Sequence, residues 1–538
     1  MSLWIVFSLL IFLSEGIFAG TKDPECTPAG LLKLEDILFV VQSQAQPYHL
    51  SRANAARPTW RAVLAREKIH APFKAIFTHE HEDMAKAWAV FPLIAALAHR
   101  PEASSVKWIL VVEDSTEIVS FSALLKKLMG YDECKPEFLG RGLRDREAAI
   151  IHHYAFANNP TEFVYPDFAA GWLISTPMLR MMSERLESKR INAGFTIDPQ
   201  HELAKYIYDE FDKQAMTSVN WLCAGLTADE ARQNGCVTNF NKDIEECAKT
   251  PVTVQDVFFG VKTTQKFHED RLPVLLNTWG KALINNGHMV LYSNVTDKSI
   301  PTVDCGVPNT ERGHCGKLYA IMRSAAERMA KSKESWLVVT DDDTLMSVPR
   351  LLTLLSCYDA STAVAIGEVY GYGVDSGHGY AYLTGGGGFV LNLPAVKRLL
   401  DASETGRCGC HGDDSPDDMF LGMCLEALKI PIVHRPEFHQ ARPGEYAAGY
   451  LQRQTPVSFH RHSFHDPYDA FNDYLGGNVN TDWLAPLRQP AEDESMEAEV
   501  PEQDAELVRE EERDARDDGD IAEVGTVETS QRPLNDEL

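Results

Sequence analysis

The 538-residue sequence predicts an α/β fold built twice in tandem and followed by an acidic tail, on the strength of three observations. Short apolar, β-branched runs alternate with amphipathic helical stretches, the pattern of a mostly parallel sheet covered by helices. The alternation occurs twice: WILVVEDSTEIVSFSALLKKLMGYD from Trp108 matches WLVVTDDDTLMSVPRLLTLLSCYD from Trp336, and GWLISTPMLRMM from Gly171 matches GFVLNLPAVKRLL from Gly388. Charge is the third observation. Nineteen acidic and four basic residues follow Pro490, a net −15, which leaves −12 of the total −27 for everything before. The globular part is thus only mildly acidic, and a nucleic-acid-binding function, which needs a basic face, is not expected.

In chain order, MSLWIVFSLLIFLSEGIFAG opens with an apolar run short of the about 20 residues that span a bilayer. It predicts a signal peptide over 1–20, or a short signal-anchor. ILFVVQSQ from Ile37 begins a first α/β domain drawn over 28–245, and its parallel VFFGVKTT from Val257 begins a second over 252–487. Residues 488–538 are too poor in apolar side chains to bury a core, which predicts a disordered tail. That tail ends in NDEL, close to the retrieval signals read in the endoplasmic reticulum (ER). Together the two ends predict an ER-luminal protein, soluble or anchored, with the retrieval receptor as a partner. In that oxidising compartment the eleven cysteines should be mostly paired, with at least one left over. Cys305 and Cys315, which close the polar loop DCGVPNTERGHC, are the first expected pair, and Cys408 and Cys410 favour disulfides over a zinc site. Asn294-Val-Thr296 is a glycosylation sequon if exposed.

The two copies differ where chemistry would be. Asp341, Asp342 and Asp343 at the end of WLVVTDDDT correspond to Glu113, Asp114 and Ser115; Asp417 and Asp418 correspond to Gln200 and His201; and the glycines at 385–388 correspond to DFAAG. Three adjacent carboxylates repel one another unless a counter-charge sits among them, and a divalent cation is such a charge. Ligands of α/β sheets bind at the carboxyl ends of strands, where this trio lies. A catalytic second copy and a non-catalytic first one follow.

VKTTQKFHEDRLPVLLNTW (261–279), TDDDT, TGGGG and SPDDMFLG, with the loop between Cys305 and Cys315, resemble the Fringe-type β-1,3-glycosyltransferases. The duplicated architecture, the NDEL tail, GEVYGYG, TGGGGFVLN, FHQARP and PVSFHRH are most similar to the branch of that family that adds glucose from UDP-glucose to O-linked fucose on thrombospondin type 1 repeats. The resemblance implies two GT-A-like (nucleotide-sugar, Rossmann-like) domains, the first degenerate. It implies Mn²⁺ or Mg²⁺ as cofactor, UDP-glucose as donor and folded fucosylated repeats as acceptor. It also implies Asp343 as the direct metal ligand supported by Asp341 and Asp342, a distant imidazole (His460, or His439 in its place) completing the metal site, and Asp418 as the base.

Residue chemistry agrees. Departure of a diphosphate requires a hard cation or fixed donors, and such cations take carboxylate oxygens while Mn²⁺ also accepts imidazole. An inverting transfer needs a carboxylate to take the acceptor's proton; Asp417 and Asp418 are the alternatives, with Asp417 expected to cap the helix that starts near Met419. Gly386 and Gly387 would let backbone approach a ligand closely. Lys262, Thr263, Thr264, His268 and Arg271 follow the first strand as candidate nucleotide contacts, and Glu368, Tyr370 and Tyr372 as candidates to flank the sugar or the acceptor. Two other functions fit less well: another β-1,3-transferase, using galactose or N-acetylglucosamine or building polymer chains, and a luminal lectin on a degenerate transferase fold.

Overall fold

Strands in this protein form where apolar runs are buried on both faces. Ile37–Gln42 (β1) and Trp108–Glu113 (β3) each keep five consecutive residues inside, as do Trp336–Asp341 (β10) and, in full, Val257–Lys262 (β7). The computed structural model describes residues 30–189, 191, 194–241, 251–376, 378–477 and 482–488. The expected signal segment, Cys26, Cys247, the limits 28 and 245 drawn for the first domain, and the NDEL tail lie outside these residues.

In the first half, β1, Lys74–Phe77 (β2), β3, Phe138–Gly140 (β4), Trp172–Ser175 (β5) and Thr217–Ser218 (β6) form one sheet in the order β6-β4-β5-β3-β1-β2. In the second, β7, Met289–Ser293 (β8), Thr302–Asp304 (β9), β10, Ala365–Gly367 (β11), Phe389–Asn392 (β12) and Ile432–His434 (β13) follow β13-β11-β12-β10-β7-β8-β9. Apart from the added β9, order and pairing sense are the same strand for strand. Each sheet is mixed, which refines the expectation of a mostly parallel one: β5 and β12 run antiparallel to both neighbours. Between β11 and β12 the chain returns through a hairpin, Val369–Tyr372 and Tyr380–Leu383, with no crossover helix, so the returning strand must reverse direction.

Local details repeat as well. The helices after β5 and β12, Thr176–Ser188 and Leu393–Glu404, each carry Pro in the first turn and a side-chain N-cap, Ser175 to the amide of Met178 and Asn392 to that of Ala395. Gly171 and Gly388 precede those strands at φ of +86° and +78°. A Cβ at either would press on the matching strand carbonyl, Val111 O at 3.3 Å or Val339 O at 3.4 Å.

The halves share packing. Ala149 and Ile151 of the first half belong to the apolar core built around β7 and β10, and Phe195–Thr196 of the first half pairs antiparallel with Gly371 and Tyr372. Cys315 bonds to Cys410, Cys408 to Cys424 and Cys223 to Cys236, while Cys305 is free; Cys134 and Cys357 are also disulfide-bonded. The expected Cys305–Cys315 bridge is therefore corrected. Cys315 opens the helix Cys315–Met329 and turns its buried sulfur to the acidic loop before Asp417, whereas Cys305 stays on the strand edge, its amide bonded to Ser293 O. No helix among the described residues is long and apolar enough to cross a membrane.

Candidate active site

The acid trio leaves β10 in a turn fixed by Thr344, whose hydroxyl accepts from the amide of Asp341 at 3.2 Å and donates to Gly386 O at 2.8 Å. Each carboxylate is then engaged, two of them by one guanidinium. Asp341 lies 2.9 Å from Lys262 Nζ; Asp342 accepts from the Thr263 hydroxyl at 2.7 Å and from Arg271 at 2.9 Å; Asp343 takes Arg271 at 3.0 Å on Oδ2. Asp343 Oδ1 is buried, accepts no hydrogen bond, and faces His460 Nε2 at 3.2 Å. Asp341, Asp343 and His460 each offer one ligand atom, all within 4.8 Å of one another. Two carboxylates and an imidazole suit a divalent metal such as Mn²⁺, and the orphaned oxygen of Asp343 is a ready ligand.

Electrostatics divides the trio. Burial would raise Asp343, but His460 and Arg271 hold it well below the ordinary carboxylate range. Asp342 is pushed up to about 6 by burial and then by Asp343. His460 is raised by Asp343 against its own burial; its Nδ1 lies 3.0 Å from Gln440 O, which turns Nε2 toward the acids. His439, the alternative ligand, does not join the site. It is fully buried, with Nδ1 at 2.9 Å from Ser458 O and Nε2 at 2.9 Å from Gln454 Oε1, so neither nitrogen is available.

Lys262, 5% exposed, bridges Asp341 to Asp417 Oδ2 at 2.5 Å. It ties the strand end to the helix Asp417–Ala427. Asp417 makes no cap, contrary to expectation. Asp418 Oδ1 instead accepts from the amide of Met419 at 2.7 Å, because Asp417 is drawn inward by Lys262. Burial and the neighbouring Asp417 push Asp418 up to about 6, with Lys262 opposing. One carboxyl is thus held ionised as a strut, and the other is left as a proton acceptor close to neutrality.

The glycine loop walls the site. A Cβ on Gly386 would meet His460 Nδ1 at 2.4 Å, and one on Gly385 would lie 3.9 Å from Asp418 Oδ2. Gly387 donates to Gln440 Oε1 at 2.9 Å. Thr264 donates to Asn294 Oδ1 at 3.0 Å, so the sequon asparagine braces this loop. His268 is buried against Ser293 Oγ at 2.8 Å. Arg271 also stacks over Phe267, 3.7 Å from the ring centroid. Glu368 and Tyr370 are interior: Glu368 accepts from the amide of Gln440 at 2.6 Å and is pushed up to about 8 by burial, while Tyr372 stays exposed.

Lys317 and His314 escaped the sequence reading. Lys317 Nζ donates to Thr263 O at 2.6 Å from a nearly buried position, and His314 is depressed by burial and then by Lys262. HCGK, at the start of a helix after an irregular loop, was the available signal.

The first half keeps the scaffold and replaces the charges. Thr116 makes the same turn as Thr344, at 3.1 Å to the amide of Glu113 and 2.9 Å to Ala169 O. Glu113 is pushed up to about 7 by burial, although Arg453 opposes this; the same Arg453, from the second half, lies 2.9 Å from the fully buried Asp167. His201, in the place of Asp418, is driven down to about 2 by burial and by His152 and so stays neutral. Asp145, His152 and His201 also cluster within 4.8 Å. His152 is already engaged by Asp145 at 2.7 Å and Asp198 at 3.0 Å, and its ring stacks on His201 at 3.9 Å and 7°. Parallel rings do not aim their lone pairs at one point, so this is a buried ion network and not a cation site.

A sheet-end acid trio thus faces an imidazole, with a carboxyl at the start of the neighbouring helix, and the family model "Fringe-like" matches residues 252–475 of the same half. Human and mouse β-1,3-glucosyltransferases are 43% and 42% identical over 82% and 85% of this chain, covering 86% and 88% of their own lengths. The Drosophila melanogaster Fringe glycosyltransferase is 27% identical over 35% of the chain and half of its own. The chain belongs to the β-1,3-glucosyltransferase family of Fringe-like transferases.

Proposed function

We propose that the protein transfers glucose from UDP-glucose, with inversion, to the 3-hydroxyl of O-linked fucose on folded thrombospondin type 1 repeats in the ER lumen. Asp341, Asp343 and His460 would hold a Mn²⁺ or Mg²⁺ ion, which when bound neutralises diphosphate charge. Asp418 takes the proton from the acceptor hydroxyl as its oxygen attacks the anomeric carbon; the bond from that carbon to the diphosphate oxygen breaks, and UDP leaves with the electron pair. Arg271 and Lys262 keep the acids in place. The nearly buried Thr263 and the half-buried Arg271 line the strand end where a nucleotide would lie. Both halves are read as GT-A-like modules, over 28–245 and 252–487, of which the second carries the chemistry.

The observation that carries this reading is the convergence of Asp341, Asp343 and His460 beside a carboxyl raised to about 6. The disulfides fit an oxidising compartment, in keeping with the terminal signals expected from sequence. The test is to incubate the protein with a panel of UDP-sugars and a fucosylated thrombospondin-type domain, with and without chelator, and weigh the product. A gain of one hexose from UDP-glucose alone, abolished by chelator, is expected; transfer of another sugar, or none, would overturn the proposal.

A further inference from the structure

The hairpin between β11 and β12 carries a row of aromatic rings that no catalytic step uses. Tyr372 pairs with Tyr380 and Tyr370 with Tyr382 across it, and paired residues of an antiparallel ladder share a face. The row continues onto the first half, because Phe195 pairs with Tyr372. Centroids are 5.2 Å apart for Phe195–Tyr372, 6.1 Å for Tyr372–Tyr380 and 6.5 Å for Tyr380–Tyr382.

Exposure grades along this row. Tyr370 and Tyr382 are buried, Tyr380 is half-buried, and Tyr372 and Phe195 are 40% and 45% exposed. Its inner end is at the active site: the helix that begins with Asp417 packs on Tyr382, where a Cβ at Gly422 would come within 2.4 Å of the Tyr382 Cβ. Its outer end is tied to the first half by two hydrogen bonds. Gly373 donates to Gly194 O at 2.8 Å, and the Thr196 hydroxyl donates to Asp375 at 2.9 Å. Aromatic faces presented to water beside a transferase site suit the apolar faces of sugars and of polypeptide.

We infer that this row is the acceptor-binding surface, with Tyr380 facing the acceptor sugar and Phe195 and Tyr372 gripping the polypeptide that bears it. The row extends further than a single sugar ring, so its outer rings lie beside the carrier chain. Phe195 is then a specificity residue lent by the non-catalytic half. This rests on the proposed function, since it needs a glycosylated protein as acceptor.

The test measures KM for a fucosylated thrombospondin-type domain and for p-nitrophenyl α-fucoside, each with UDP-glucose, in the full-length protein. Phe195→Ala and Tyr372→Ala should each raise the ratio of the protein KM to the fucoside KM by about tenfold, the effect of losing one well-placed aromatic contact. Phe195→Tyr should restore the ratio, and Tyr380→Ala should raise both KM values together. A melting curve checks folding of each variant; if Phe195→Ala unfolds, Tyr372→Ala decides. An unchanged ratio in the folded variants would overturn this inference alone, whereas a wild-type protein that glucosylates neither acceptor would overturn the proposed function with it.

Discussion

At the ends of β3 and β10 the chain makes one turn twice and treats charge in opposite ways. Thr116 and Thr344 close the two turns with matching hydrogen bonds. After Thr344's turn, three carboxylates are held by Lys262, Arg271 and His460. After Thr116's turn, burial pushes Glu113 toward its neutral form, and a guanidinium from elsewhere pairs with Asp167. Backbone geometry and acidic charge are therefore separable: the first half keeps the turn without the acid trio, because the turn is made by threonine.

The comparison breaks most sharply at the proposed base, Asp418. Asp418→Asn should lower kcat by up to about 10⁴-fold. The equivalent change in the first half, His201→Asn, should leave kcat in place and lower the melting temperature; steady-state rates beside calorimetry separate the two. Asp343→Ala should cost roughly 10³-fold in transfer. It should also abolish Mn²⁺ binding by calorimetry, while Ser115→Ala does neither. Gly386→Ala gives the second half the alanine that the first half carries as Ala169 and drives a methyl group into His460. Weaker metal binding by about 10–100-fold is expected, read by titration.

How much of this was legible follows from what a sequence records. Trp336 to Asp343 reads as strand and acid turn because both are local, and the repeat exposed the contrast with Glu113. Arg453 was invisible, since nothing near it in the chain points to Asp167 across the molecule. The same holds for Phe195, whose two-residue strand is too short to leave a pattern, and for Cys315, whose partner is chosen by a loop nearly a hundred residues away. His439 and His460 looked alike in sequence; only the side-chain partners Ser458 O and Gln454 distinguish the structural one.

Two smaller effects sharpen the contrast. Activity should fall about tenfold per pH unit below about 6, because Asp418 must be ionised to act and its raised pKa keeps the proton on at lower pH; kcat/KM profiles measure this limb. Arg453→Met should leave kcat largely intact and cost about 3 kcal/mol of stability by leaving the buried Asp167 with only the more distant Arg141, 3.9 Å away, read by denaturant melts.

Arg453 also limits what the first half can accept. A chain given aspartates at 115 and 201 would find the chamber already tenanted by a neighbour's guanidinium, whose removal takes a partner from the buried Asp167. Building the acid set of the second half into the first would therefore need several coordinated replacements at once.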